Sequence, residues 1–173
     1  MSADWKDEKL WMMDISYSSA VDGTGFRDVL FVTGCPHRCP GCHNPETWEM
    51  EKGHPTPLRE VYDKLMHSAI TNITYSGGEP FEQAAALAAL TREIRAHCKK
   101  TIWVYSGYLY EELAADPEKR QLLELCDVLV DGEFEQDKTR LNLRFKGSTN
   151  QRIIDIPASL AAGHAILYDI EAF

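Results

Sequence analysis

Short apolar runs alternate with amphipathic stretches along most of the chain. The runs are rich in Val, Ile, Leu and aromatic residues and predict strands. In the amphipathic stretches apolar residues recur every three or four positions, which predicts helices with one buried face. The predicted strands cover 10–17, 29–32, 73–76, 101–105 and 128–130, with 153–156 as a last strand or edge. The predicted helices cover 58–65 and 82–97, with two short helices between 110 and 125 that Pro117 separates.

The order of these elements predicts an α/β fold. Strands that alternate with helices form a parallel sheet whose connections are right-handed crossovers. Three or four such units are too few for a closed eight-fold barrel, so the sequence predicts a partial (open) β/α barrel with a mostly parallel sheet. A chain of 173 residues suits a single domain. We expect its core at about 11–156, a linker around 53–57, and a C-terminal extension of unassigned role at 157–173.

Charge and cysteine content narrow the functional classes. The net charge of −9 argues against nucleic acid as a partner, since phosphate binding needs clustered Lys and Arg. The charged N-terminus and the lack of a long apolar run predict neither a signal peptide nor a membrane span, so we expect a cytoplasmic protein. Three of the five cysteines lie within eight residues, which is typical of a metal site rather than a disulfide framework. The isolated Cys98 and Cys126 are interpreted as small core residues.

The other three cysteines, Cys35, Cys39 and Cys42, follow the second predicted strand in a segment rich in Gly and Pro. These residues break helices and strands, so the three thiols are expected on one loop with a restricted backbone. Three thiolates hold a cubane iron–sulfur cluster with one iron open to a small molecule. A zinc site needs a fourth ligand, which His43 could supply. The spacing does not fix the identity of the metal, and both kinds of site stay open at this point.

Unusual residues follow four of the predicted strands. The cysteine loop comes after Val32, and Gly-rich or polar residues follow the next three strands at 76–80, 106–108 and 131–132. The carboxyl ends of parallel strands meet at one edge of a sheet, where ligands bind in such folds. We therefore expect these four segments to form one site.

Two motifs in these segments resemble those of the radical-SAM superfamily. Residues 35–42 resemble its cysteine signature, and Gly77-Gly78-Glu79-Pro80 resembles its methionine-binding motif. Many members carry an aromatic residue just before the third cysteine, where this chain has Gly41. Gly is usual there in the anaerobic ribonucleoside-triphosphate reductase-activating proteins, which the chain resembles over about 11–156. The segments that carry this second resemblance are 23–27, 30–35, 39–44, 47–48, 127–134 and 146–155.

The resemblance implies a 4Fe-4S cluster on Cys35, Cys39 and Cys42, with the amino and carboxylate groups of S-adenosylmethionine on the fourth iron. A reduced cluster of this kind passes one electron to the sulfonium and leaves methionine and a 5'-deoxyadenosyl radical. The implied reaction removes a hydrogen atom from a glycine Cα of an anaerobic ribonucleoside-triphosphate reductase, which then stores a glycyl radical. The resemblance also implies a low-potential electron donor such as a flavodoxin.

Eight residues are expected to bind the cofactor. Gly77 and Gly78 would grip the methionine amino group, because glycine lets the backbone approach a ligand closely. Ser106 would contact the ribose or cap the next turn. An unpaired buried carboxylate is costly, so Asp131 is expected to meet a ligand, an amide or a cation. The full set is Gly41, Cys42, His43, Gly77, Gly78, Glu79, Ser106 and Asp131.

Two arginines are open to more than one interpretation. Arg27 follows a Gly-rich turn and would pair with the methionine carboxylate or only with Asp22. Arg152 would lie on a partner surface, on the wall of the site or in a hydrogen-bonded turn.

Two other functions fit parts of the sequence. A small-molecule radical-SAM enzyme such as a carboxy-deazaguanine synthase would share both motifs, but the segments 130–134 and 150–152 argue against it. A zinc-bound interaction module without catalysis would use the same cysteines. The iron and sulfide content of anaerobically prepared protein distinguishes the zinc module from the two enzymes.

Overall fold

A computed structural model describes residues 5–172 of the chain. Seven strands form one sheet in the order β3-β1-β2-β4-β5-β6-β7. The strands are β1 (Lys9–Ser19), β2 (Arg27–Val32), β3 (His54–Pro57), β4 (Asn72–Gly77), β5 (Ile102–Tyr105), β6 (Val128–Asp131) and β7 (Arg152–Asp155). The helices are α1 (Leu58–Leu65), α2 (Ala84–His97), α3 (Tyr110–Ala115), α4 (Pro117–Leu123) and α5 (Ile156–Ala162).

The sheet is parallel in its centre and antiparallel on both sides. Strands β2, β4, β5 and β6 pair in parallel, and helices lie on the connections between them. Strand β1 pairs antiparallel with β2 and β3, and β7 pairs antiparallel with β6. The connections to β2 and β7 contain no α-helix among the described residues, and a parallel return normally needs one. The predicted single α/β domain is confirmed, with an open, mixed sheet, whereas its predicted barrel curvature stays a prediction.

The main core lies between the sheet and helices α1 to α4. Alternate strand residues face these helices, among them Ile73, Val104 and Leu129, and all three are fully buried. Cys126 is buried in this core, as predicted, and the half-buried Cys98 packs against it. Pro117 begins α4 after the Asp116 cap, so the predicted division into two short helices is confirmed. The helix predicted from residue 82 begins instead at Ala84, because a 3-10 turn, Pro80–Gln83, comes first.

A smaller apolar cluster covers the other face of the sheet. It consists of Trp103, Val128, Val130 and Ile153. The Trp103 ring lies edge-on to the rings of Phe145 and Tyr168, with centroid distances of 5.4 and 5.5 Å. Residues beyond 156, to which the sequence assigned no role, therefore pack over this face.

The segment 53–57 was predicted to be a linker, and that prediction is wrong for every residue after Gly53. His54–Pro57 forms the edge strand β3 and pairs with β1. Two prolines are tolerated there because an edge strand can leave one side of its backbone without ladder hydrogen bonds. Within residues 5–172, no helix is both long and apolar enough to cross a membrane.

Candidate functional site

A cavity of about 580 Å³ lies at the carboxyl ends of the central parallel strands. All four segments that follow those strands contribute to its wall. The residues that the sequence singled out and that line it are Cys35, Cys39, Cys42, His43, Gly77, Gly78, Glu79 and Ser106. The parallel topology brings these positions together although they are spread over more than 70 residues of sequence.

The cysteine loop is held by its backbone. The Gly34 amide donates to the Thr47 carbonyl at 2.8 Å, and the Cys35 amide donates to the Trp48 carbonyl at 3.0 Å. Arg38 adopts a left-handed conformation with φ +50°. The loop is thus fastened to the segment that follows it, and the direction of its three half-buried thiols is restricted.

Burial makes two of these thiols, those of Cys35 and Cys39, reluctant to ionise. It raises the pKa of Cys35 to about 11, with the nearby Glu79 charge acting in the same direction. Burial also raises the pKa of Cys39. Thiolates are the form that binds metal, so a cation that enters must displace these protons and compensate the negative charge.

Glu79 connects the cysteine loop to the ends of β4 and β5. Its side chain is fully buried. The carboxylate accepts from the Phe81 amide at 3.1 Å, the Ser106 hydroxyl at 3.0 Å and the Gly107 amide at 2.9 Å. His37 Nε2 from the cysteine loop lies 2.8 Å from Glu79 Oε2. Protein donors therefore occupy both carboxylate oxygens, and Glu79 fixes the loop rather than presenting an unpaired charge to a ligand.

His37 is the residue that inserts the cysteine loop into this network. Its side chain is 9% exposed, and its ring stands edge-on to Tyr108 with centroids 4.5 Å apart. A Cβ on Gly107 would lie 2.5 Å from the ring, so only glycine leaves room for it. Burial opposes protonation, but the hydrogen bonds to Glu79 and Glu133 outweigh it and raise the pKa of His37. Sequence reasoning missed the role of His37, because its partner Glu79 is 42 residues away and no local pattern shows that Glu79 is buried.

Gly77 and Gly78 lie so close to the backbone at Val32 and Gly34 that a side chain would not fit at either position. Gly77 has φ +97°, and a Cβ on it would lie 2.5 Å from the Val32 carbonyl oxygen. A Cβ on Gly78 would lie 2.6 Å from the Gly34 carbonyl oxygen. The amides of Gly78 and Glu79 donate to these same two carbonyls at 2.8 Å. The turn therefore fits closely against the cysteine loop, and both contribute to one cavity wall.

Comparison with known proteins agrees with this site. The family described as 4Fe-4S single cluster domain matches residues 21–154. The anaerobic ribonucleoside-triphosphate reductase-activating protein of Pasteurella multocida is 38% identical over 141 residues, which cover 77% of this chain and 89% of the relative. The protein of the same name from Escherichia coli K12 is 39% identical, over 76% of this chain and 89% of the relative. The protein of that name from phage T4 is 34% identical, over 77% of this chain and 86% of the relative. The chain belongs to this activating-protein family.

The donor chemistry of the cavity suits the 4Fe-4S group of this family. Cys35, Cys39 and Cys42 line the same cavity, and thiolates are the usual ligands of iron–sulfur clusters. No cluster of three or more His, Cys, Asp or Glu side chains placed to hold a single metal ion occurs in the described part of the chain. The predicted fourth zinc ligand, His43, lies with its ring 4.9 Å from the ring of Phe134.

Gly41, where many radical-SAM proteins carry an aromatic residue, has a local explanation in this activating-protein chain. Its φ is +77°, and a Cβ on it would lie 2.6 Å from the side-chain amide carbon of Gln136. The Gln136 side chain thus fills the space into which a larger residue would project. Gly41 lies outside the set of cavity-lining residues, whereas its neighbours Cys42 and His43 belong to it.

Ser106 and Asp131 make protein contacts that the sequence left as alternatives. The Ser106 hydroxyl lines the cavity, donates to Glu79 and accepts from the Tyr108 amide at 3.0 Å, so it caps the turn. Asp131 is fully buried and lies outside the cavity lining. It accepts from the Tyr110 amide at 2.8 Å and from Arg152 Nε at 3.0 Å. Of its three expected partners, Asp131 meets the amide and the cation.

The two arginines stand apart from the cavity lining. Arg152 pairs with Asp131 and with Glu111, and these carboxylates raise its pKa. Arg27 lies at the amino ends of the strands and is fully buried. It donates to the Thr74 hydroxyl at 2.8 Å and to the Thr101 carbonyl at 2.8 Å, and burial lowers its pKa to about 10. Among residues 5–172 the Asp22 carboxylate is not a hydrogen-bond partner of Arg27. A pairing with the methionine carboxylate stays a prediction, although the strand places Arg27 at the amino ends of the parallel strands.

Proposed function

We propose that this chain is a radical-SAM activase that cleaves S-adenosylmethionine reductively at a 4Fe-4S cluster and generates a glycyl radical on an anaerobic ribonucleotide reductase. One observation carries the proposal. Three cysteine thiols and the Gly77-Gly78 turn line a single cavity in a chain of the activating-protein family. The chemistry that the cluster supplies when bound is the transfer of one electron to the sulfonium, which releases the radical that takes hydrogen from glycine.

In this proposal Cys35, Cys39 and Cys42 each hold one iron of the cluster. The cysteine loop and the Gly77-Gly78 turn enclose S-adenosylmethionine. The raised pKa of Cys35 couples cluster assembly to loss of a proton, so assembly becomes easier as the pH rises. Glu79 and His37 keep the loop against the ends of β4 and β5 before any metal is present. Such preorganisation lowers the cost of placing the reacting groups.

In this proposal the substrate is a protein loop that approaches the cavity from outside. Its volume of about 580 Å³ is in the range of one cofactor-sized ligand. One wall consists of the segment 143–147, which is not part of a helix or a strand. A glycine in a protein loop has no side chain to hinder its approach, so a backbone segment of the reductase can serve as the substrate. A low-potential donor such as a flavodoxin would supply the electron.

Anaerobic reconstitution followed by reduction tests each step in turn. We expect iron and sulfide in the reconstituted protein, 5'-deoxyadenosine after addition of S-adenosylmethionine, and a glycyl doublet in the electron paramagnetic resonance spectrum only when the reductase is also present. Zinc in place of iron would contradict the cluster. If a small molecule drove stoichiometric formation of 5'-deoxyadenosine while a competent reductase gave no doublet, the activase proposal would be wrong.

A further inference from the structure

The segment 138–146, which we call the basic segment, differs in charge from the rest of the chain. It carries four Lys or Arg residues and no Asp or Glu, although the whole chain has 27 acidic residues and a net charge of −9. Its C-terminal part, 143–146, lines the cavity. The concentration of positive charge therefore lies at the rim of the candidate active site.

The basic segment is fixed at both ends and exposed between them. At one end the Lys138 carbonyl accepts from the Thr149 amide at 2.9 Å. At the other end the Phe145 carbonyl accepts from the Tyr105 hydroxyl at 2.6 Å, and the Phe145 ring packs on Trp103. Between these anchors the side chain of Leu141 is fully exposed. The exposed part is thus presented at a defined position beside the cavity.

Arg140 has no carboxylate partner among residues 5–172. Within the described residues its guanidinium donates to two nearby backbone carbonyls, those of Asp137 and Thr139. Lys138 and Arg144, by contrast, pair with exposed carboxylates, those of Glu135 and Glu171. An uncompensated cation next to a fully exposed leucine combines charge with an apolar contact, as protein interfaces do.

We propose that the basic segment is a docking surface for the protein substrate, and that the substrate presents acidic residues and an apolar depression beside the loop that enters the cavity. The proposal rests on the proposed function, because it assumes a protein substrate. Charge complementarity supports an acidic contact surface on the substrate, because the four Lys and Arg residues of the basic segment attract carboxylates at the rim of the cavity. Leu141 favours a protein over a phosphate backbone or a small anion, because those ligands offer no apolar cover for it.

The test compares the affinity of the cluster-loaded activator for the anaerobic reductase in two variants, Arg140→Glu and Leu141→Ser. Neither residue lines the cavity. We expect Arg140→Glu to raise Kd about tenfold at low ionic strength and less at high salt, because exposed charges are screened. Leu141→Ser should raise Kd roughly fivefold at every salt concentration, since it removes apolar contact. The matched control is Arg59→Glu on α1, an exposed arginine on the helical side of the sheet.

Two further measurements separate the proposals. Formation of 5'-deoxyadenosine without reductase and the glycyl radical yield at saturating reductase should equal those of the unaltered protein in both variants. If the unaltered protein forms a glycyl radical but neither variant changes Kd, the docking surface is wrong and the proposed function stands. If the unaltered protein forms no glycyl radical with a competent reductase, the proposed function is wrong, and the docking proposal that rests on it is wrong as well. Loss of affinity for single-stranded DNA alone would assign the segment to a nucleic acid and overturn the proposal.

Discussion

Two fully buried charges, Glu79 and Arg27, lie at opposite ends of the same sheet. Glu79 is at the carboxyl ends of the strands, and its donors come from the cysteine loop and the turn after β5. Arg27 is at the amino ends, and its acceptors are carbonyl and hydroxyl oxygens of the strands and turns around it. Both charges are satisfied, as buried charges must be. Only Glu79 has a partner on the loop that carries the candidate ligands, so we expect Arg27 to support the scaffold and Glu79 to support the site.

The largest effect should come from the ligands themselves. Alanine in place of Cys35, Cys39 or Cys42 should abolish assembly of the 4Fe-4S cluster, because each thiolate is expected to hold one iron. The folded metal-free protein should persist, since these thiols are only half-buried. Iron and sulfide analysis after reconstitution measures the effect, with Cys126→Ala as the control that keeps the cluster. Full iron content in all three variants would refute the assignment.

Arg27→Met should have the largest effect on the scaffold. It removes the donor that the carbonyls of Thr24, Ile73 and Thr101 share, and the hydrogen bond to the Ile73 carbonyl is fully buried. We expect the free energy of unfolding of the metal-free protein to fall by about 3 kcal/mol or more, measured with urea. Arg92→Met on the exposed face of α2 is the matched control, with little effect. Cluster content per folded molecule should stay unchanged. A selective loss of iron would show that Arg27 also supports the site and not only the scaffold.

Glu79→Gln should have the opposite pattern to Arg27→Met, with a smaller loss of stability and a larger effect on the cluster. The carboxamide retains one acceptor oxygen, but its NH2 group faces donors, so we expect about 1–3 kcal/mol of lost stability. The cysteine loop should loosen more than the scaffold. A chelator would then remove iron faster from the reconstituted protein. Glu82→Gln provides a control, since that carboxylate is exposed and accepts a hydrogen bond from the Tyr108 hydroxyl. An iron loss rate equal to that of Glu82→Gln would show that Glu79 is as structural as Arg27.

Gly107→Ala tests whether His37 transmits this support. The new methyl group would lie 2.5 Å from the imidazole ring, so the ring must shift away from Glu79. We expect a cost of about 1 kcal/mol in unfolding and a moderate increase in iron loss. The same substitution made in a His37→Ala background should cost almost nothing, because the ring it meets is gone. Equal costs in both backgrounds would place the strain elsewhere.

The smallest effect is expected at the protein surface, where the exposed Glu111 pairs with Arg152. That hydrogen bond lowers the pKa of Glu111 below its ordinary value of 4.5. The pair therefore stabilises the fold above that value, and its contribution disappears as the pH falls through the lowered pKa. Glu111 is more than half exposed, so solvent screening limits the loss in Glu111→Gln to less than about 0.5 kcal/mol at neutral pH. A larger loss, or one that persists at pH 2, would contradict this.

The sequence by itself determined the central elements and the meeting of their ends. The apolar run at 128–130 forms a strand whose alternating residues face two apolar layers, with Leu129 in the main core and Val128 and Val130 in the smaller cluster. Pro117 divided α3 from α4 because proline cannot continue a helix. The grouping of the cysteine loop with Gly77 and Gly78 also followed from the sequence, since the carboxyl ends of parallel strands share an edge.

Only the tertiary structure decided the partners of the polar side chains. A sequence shows that Arg27 or Asp131 carries a charge, but its partner depends on which distant backbone lies within about 3 Å, the reach of a hydrogen bond. Arg27 thus meets Thr101, and Asp131 meets Arg152, across separations that no local pattern encodes. The edge strand β3 escaped prediction for the same reason, since its pairing with β1 overrides the local signal of two prolines. His37 gained its role only when folding buried Glu79 beside it.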